Sequence, residues 1–265
     1  MGGLIASTDS PWTFTLLFLV DAATFLVYLA VLGAFVPEPE LGGRRGHGAQ
    51  PGTYRDVFRN RPFAWLLLVN VAFIAFGMSQ LEMLPVYAKN EAGMTESQIG
   101  FLFFINTLVI VALQLPITKL SEGRRRMAGL ALVGVFWAAA WVLVPISGLW
   151  LAGAAAFALL ALVAAIFAIG ECFHGAVQAP LVADLAEPRL LGRYMALSAL
   201  TWQVGFTVGP AIGGFVLASS PSALWLGAAV LCLLTGSAAL ALEPAIPARA
   251  RRTPIASPAP ASASA

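Results

Sequence analysis

Apolar residues fill seven long runs of this chain, at 12–36, 63–87, 99–117, 127–144, 149–182, 194–218 and 223–242. A bilayer's hydrocarbon core is crossed by about 20 mostly apolar residues at about 1.5 Å rise each, so each run is long enough for one helical crossing. The fifth run is too long for a single perpendicular crossing and is expected to tilt or to project beyond the membrane on one side. The pattern predicts an all-α, polytopic membrane protein with seven transmembrane helices. It divides into an N-terminal segment with the first helix (1–36), a loop (37–62), a six-helix bundle (63–243) and a tail (244–265) whose Pro, Ala and Ser content reads as disordered.

Composition narrows the class. Of 265 residues, 59% are hydrophobic and only 11% are charged, against roughly 25% charged in an average soluble domain. So little polar surface excludes a cytoplasmic enzyme, a disordered regulator and a nucleic-acid binder, and it makes membrane lipid the expected surroundings. Cys172 and Cys232 sit inside apolar runs and offer neither metal spacing nor a disulfide framework. No signal peptide is expected, because no Lys or Arg precedes Trp12. The opening residues also lack the Ser or Thr of a myristoylation signal.

The placement of charge sets an orientation. Of the fifteen Lys and Arg residues, all but Lys89 fall in alternate connections: Arg44 to Arg61, Lys119 to Arg126, Arg189 with Arg193, and Arg249 to Arg252. The positive-inside rule places these connections and the C-terminus in the cytoplasm and Met1 outside, as seven crossings require. A multi-pass protein of the plasma (inner) membrane is the expectation, with the tail arginines near the inner leaflet.

The most specific string lies in the sixth run, where Gly205, Gly209, Pro210, Gly213 and Gly214 form GxxxGPxxGG. Glycines four residues apart share a helix face and let a neighbouring backbone approach closely. Pro210 removes a backbone donor and is expected to kink the helix, making it a pivot between bundles. General enrichment of Gly and Pro in membrane helices is the plainer alternative.

The string resembles the GxxxGPxxGG motif of drug exporters of the major facilitator superfamily. Three further stretches resemble the same exporters. Gly170-Glu171, residues 180–188 and Gly192-Arg193-Tyr194 are similar to their tenth helix and the turn after it. Phe76-Gly77, residues 84–87 and Gln98-Ile99-Gly100 are similar to their seventh and eighth helices. Gly123, Arg124, Arg125 and Arg126 match the end of the superfamily's loop motif, with Pro116 and Leu120 where its first Gly and its Asp would stand. The resemblance runs in order over about residues 12–243. It implies helices six to twelve of a twelve-helix transporter, that is, the C-terminal half of the bundle with one helix before it. The substrate path then needs a missing N-terminal half or a second chain, or else Met1 is an internal start or the chain is a remnant.

Ionisable groups within the runs each ask for a reason, since a charge at the bilayer centre costs roughly 2.5–3.5 kcal/mol on insertion scales. Asp21 suits a hydrogen bond to a neighbouring helix or proton coupling. Glu171, His174 and Gln178 share one helix stripe, where a carboxylate beside an imidazole would hold and pass a proton, or where the stripe lines a watery mouth. Glu82 lies near the outer end of the second run. Phe76, Gln80, Met83 and Tyr87 share a face there, the third run adds Asn106 and Gln114, and the sixth adds Trp202 and Gln203. The resemblance puts these on cavity-lining helices, where aromatics, Met and amides suit bulky amphipathic molecules; packing and amide bonds between helices are the alternative.

The functional expectation is a secondary active, proton-coupled exporter, or antiporter, of small or drug-like molecules, drawing on a proton gradient and needing no cofactor. The rival is an inactive remnant or an accessory membrane protein. A retinal pigment is disfavoured because Lys89 and Lys119 only flank runs. No nucleophile and base arrangement supports an enzyme, and Glu171 with His174 has no second such pair for a di-iron site.

Overall fold

A computed structural model describes residues 12–35 and 53–255. The expectations for 1–11, for residues 36–52 with Arg44 and Arg45, and for 256–265 lie outside the described residues. Helix α1 (Trp12–Phe35) forms a unit by itself. Within it the carbonyl of Asp21 accepts a hydrogen bond from the Thr24 hydroxyl at 2.7 Å.

The second unit, from Thr53 onward, holds the remaining helices: α2 (Tyr54–Phe58), α3 (Arg61–Ala72), α4 (Leu84–Asn90), α5 (Glu96–Ser121), α6 (Arg126–Leu149), α7 (Gly153–Leu185), α8 (Leu191–Ser219) and α9 (Pro221–Leu242). Local chemistry sets their ends. The Thr53 N–H donates to the Asp56 carboxylate at 2.7 Å ahead of α2, and this bond holds Asp56 below the usual carboxylate range. Asn60 caps α3 by accepting from the Phe63 N–H, with Pro62 in the first turn. Thr95 and Gln98 cap α5 reciprocally. Gly123, at φ +68°, turns the chain between α5 and α6 in a conformation that other residues rarely adopt.

Among the described residues seven helices are long and apolar enough to cross a membrane, one for each expected run. The long fifth run is the single helix α7. The second crossing differs from a plain α-helix. Between α3 and α4 the chain passes through a π-helical turn, Phe73–Gly77, and a 3-10 segment, Met78–Met83.

Packing is densest where α6 lies against α7 and α9. Trp137, Trp141 and Trp225 are fully buried there. Trp137 stacks on Phe167 at 5.2 Å between ring centroids, and Trp141 meets Trp225 at the same separation. Backbones touch at Gly134, where an added Cβ would lie 2.5 Å from the Cys232 carbonyl oxygen and 3.2 Å from the Gly236 Cα. Lipid is as apolar as these side chains, so close packing, rather than exclusion of water, holds the helices together. Val111 and Leu115 of α5 and Phe215 of α8 stay more than 70% exposed, as lipid contact allows.

Arginine-bearing segments meet at one end of the bundle. The Asn60 amide donates to the Tyr194 hydroxyl at 3.1 Å. Arg125 makes a two-pronged pair with Glu243, which holds its guanidinium above its ordinary pKa. Arg126, 1% exposed, pairs with Asp184 at 2.5 Å. The tail corrects the expectation of disorder from residue 244. Up to Ile255 it is ordered, because its backbone pairs with the loop between α5 and α6. The Gly123 N–H donates to the Thr253 carbonyl, the Thr253 N–H to the Arg124 carbonyl, and the Arg126 N–H to the Arg251 carbonyl, at 2.8–3.0 Å. An Ala- and Pro-rich composition does not prevent such pairing, because it uses main-chain groups alone.

Candidate functional site

Polar side chains are scarce inside this bundle, and those on α7 bond to two different neighbours. Glu171 accepts a hydrogen bond from the Asn106 amide of α5 at 2.6 Å. Among the described residues no cation pairs with it. His174, one turn on and 2% exposed, turns instead toward α3 and α8. Its Nε2 lies 2.9 Å from the Asn70 Oδ1. The Asn70 amide donates to the Thr201 hydroxyl at 2.5 Å, which donates to the Ser198 carbonyl at 2.6 Å. With every other role taken, Nε2 is the donor of its bond, which leaves a lone pair on Nδ1 in the neutral ring. The ring lies over Trp137 at 5.8 Å and edge-on to Trp202 at 5.7 Å.

The expected carboxylate–imidazole relay is therefore not assembled. Residues three apart share a helix stripe, yet α7 packs on α5 along one flank and on α8 along another, so the two groups bond to opposite neighbours. Gln178 is buried and its Nε2 has no partner among the described residues.

A second polar region lies where α8 meets the irregular crossing. A Cβ on Gly205 would reach Ile74, one on Gly209 would overlap Ser79 and the Ala75 carbonyl, and one on Gly213 would press on Gln80 and Met83. The shared glycine face thus does what its spacing predicts. Gly214 points elsewhere and has nothing within 4 Å. Helix α8 runs through Pro210 without a break; the irregular backbone is in the facing crossing, not at the proline. Gln80 is buried in this contact, donating to the carbonyls of Ala75 at 2.7 Å and Gly209 at 3.2 Å. It binds helices together here, as the packing alternative has it.

Of the remaining candidates, Gln114 is half-buried and donates weakly to the Cys172 carbonyl at 3.4 Å. Glu82 and Gln203 are exposed, and Trp202 is half-buried beside Phe206. Around Gly123 and Arg124 to Arg126, the acid that Leu120 fails to supply comes from Asp184 and Glu243. Sequence reasoning missed Asn70 and Thr201. A single amide inside the second apolar run was the available signal for the first; nothing marked the second. Among the described residues no three His, Cys, Asp or Glu side chains gather as metal ligands would.

The profile of the Major Facilitator Superfamily matches this chain over residues 1–158 and again over 83–265. The chain is similar to the uncharacterized MFS-type transporter YhjO of Bacillus subtilis (strain 168), 24% identical over 241 residues, covering 91% of this chain and 56% of that protein. It is also similar to the multidrug resistance protein MdtH of Shigella dysenteriae (serotype 1, strain Sd197), 24% identical over 245 residues (89% and 58%). MdtH of Cronobacter sakazakii (strain ATCC BAA-894) is 28% identical over 215 residues (81% and 51%). The chain thus spans a little over half the length of the curated relatives it matches. No solved structure matches it.

Proposed function

On the premise that this chain belongs to the Major Facilitator Superfamily, we propose that it forms the part of a secondary transporter equivalent to helices six to twelve, and that the transporter exports small or drug-like molecules in exchange for protons. The observation that carries this reading is Glu171, held in a membrane-spanning helix with a neutral amide as its hydrogen-bond partner and no cation paired with it among the described residues. Asn106 can donate to a carboxylate or to the carbonyl oxygen of the protonated acid, so a proton can arrive and leave without breaking the α5–α7 link. An arginine partner would instead fix the ionised form. Protonation then biases two arrangements of the bundle by its differential cost in each.

The substrate path runs between this bundle and a second one, as in transporters built from paired repeats. Trp202 and Phe206, with Gln203 and Glu82 exposed, suit amphipathic, loosely recognised molecules. The names of the MdtH relatives agree with drug-like cargo. Orientation follows the arginine-bearing end, which we place in the cytoplasm of the inner-membrane protein. Cysteine labelling at position 252 from the cytoplasmic side only is the expected topology result.

The direct test is dye efflux in everted vesicles carrying the chain as its own cell makes it. Efflux is expected to rise with an imposed proton gradient. Glu171→Gln is expected to lose that dependence by tenfold or more with insertion unchanged, and Glu171→Asp to retain part of it. Gradient-driven efflux by Glu171→Gln at the wild-type rate would overturn the assignment.

A further inference from the structure

Helices α5 and α6 both pack along α7 rather than along each other. Near the arginine-bearing end this leaves a cleft of about 320 Å³, with Leu120 on one wall, Leu132 on the other and Phe173 and Val177 of α7 as its floor. Leu120 and Leu132 are 49% and 42% exposed, so the cleft opens sideways, toward where the acyl chains of a bilayer lie.

Arginines form its rim. Arg124, Arg125 and Arg252 all border the cleft, and their charges are matched unequally. Arg125 is neutralised by its two-pronged pair with Glu243. Arg252 spends one donor on the neutral carbonyl of Gly123 at 2.9 Å. Arg124 has no side-chain partner among the described residues and is exposed. Arg252 also feels the Glu243 carboxylate, but that acid is already paired with Arg125, so three guanidinium groups and one carboxylate leave the rim net positive. Arg252 owes its position to the backbone pairing of the tail with the loop, in which Thr253 bonds Gly123 and Arg124, so the rim is built and not a passing surface charge.

An occupant must satisfy both halves of this cleft. Guanidinium groups recognise phosphate oxygens with paired, charge-assisted hydrogen bonds. The apolar floor asks for hydrocarbon, which a soluble anion lacks. Anionic phospholipids carry both groups, are already present in the surrounding leaflet, and are drawn to basic pockets between membrane helices. We propose that the cleft between α5 and α6 binds one anionic phospholipid of the bilayer, its phosphodiester on Arg124 and Arg252 and an acyl chain along Leu120, Leu132 and Phe173. The proposal does not depend on the transport reading.

Native mass spectrometry of the full chain in detergent, titrated with palmitoyl-oleoyl phosphatidylglycerol or the matching phosphatidylcholine, tests it. Wild-type protein is expected to retain one phosphatidylglycerol with roughly tenfold preference over phosphatidylcholine. The double variant R124Q/R252Q, altered only at exposed side chains, is expected to bring that preference close to one. Leu132→Trp, which fills the apolar wall and keeps both charges, is expected to weaken retention of both lipids. Unchanged preference in R124Q/R252Q would overturn the proposal. So would displacement of the lipid by an equal concentration of soluble glycerol 3-phosphate, because that result would make the site one for a soluble anion.

Discussion

Two seams in this bundle bring helix backbones together at glycines, by opposite means. Where α6 meets α9, both helices are regular, Gly134 and Gly236 face each other, and fully buried tryptophans fill the flanks. Where α8 meets the second crossing, the glycine face lies against a backbone that is π-helical and then 3-10. There side chains replace main-chain order: the Ala75 carbonyl accepts from the Ser79 hydroxyl at 2.8 Å and from the Gln80 amide at 2.7 Å. An aromatic seam can rearrange only by expelling large rings from filled space. A seam of hydrogen bonds to irregular backbone can exchange one bond for another. On that contrast the second crossing and α8 are expected to yield more readily than α6, α7 and α9.

Substitutions test that contrast with a range of expected effects. The largest is Gly209→Leu, whose side chain has no room beside Ser79 and Ala75; no monodisperse folded bundle is expected on gel filtration. Trp137→Ala empties the centre of the rigid seam, and about 3–5 kcal/mol of stability should be lost in steric-trapping or denaturant unfolding. Arg126→Ala removes a buried cation from Asp184, which is 42% exposed. Water screens the acid left behind, so roughly 1–2 kcal/mol is expected in the same measurement. Gln80→Leu deletes the amide bond to the Gly209 carbonyl across this seam, and about 0.5–1.5 kcal/mol is expected in the same measurement.

The smallest effect concerns pH. Asp56 has its carboxyl pKa depressed by Thr53, so the cap of α2 is stabilised above the ordinary carboxylate range and weakened as pH falls through the depressed value. Asp56→Asn should abolish this acid dependence of amide protection in residues 54–58.

The spans and the glycine face were legible because each is a local pattern: unbroken apolar runs, and glycines at a spacing of four. Partnerships between distant positions were not. Gly134 and Gly236 carry no motif, and their contact exists only because α6 and α9 lie side by side. Glu171 and His174 shared a stripe on paper, but which neighbour flanks each side of α7 is a matter of tertiary packing. The irregular turn at 73–83 contains no proline, so nothing local announced a departure from the α-helix. The pairing of the tail with the loop after α5 uses backbone groups, which composition does not reveal.

Amide hydrogen exchange followed by mass spectrometry, on the intact chain in lipid nanodiscs, tests the division into a yielding and a rigid seam most directly. Residues 73–83 are expected to exchange at least tenfold faster than residues 134–144 of α6, and to change their rate in Glu171→Gln while α6 does not. Equal, slow exchange in both stretches would contradict it.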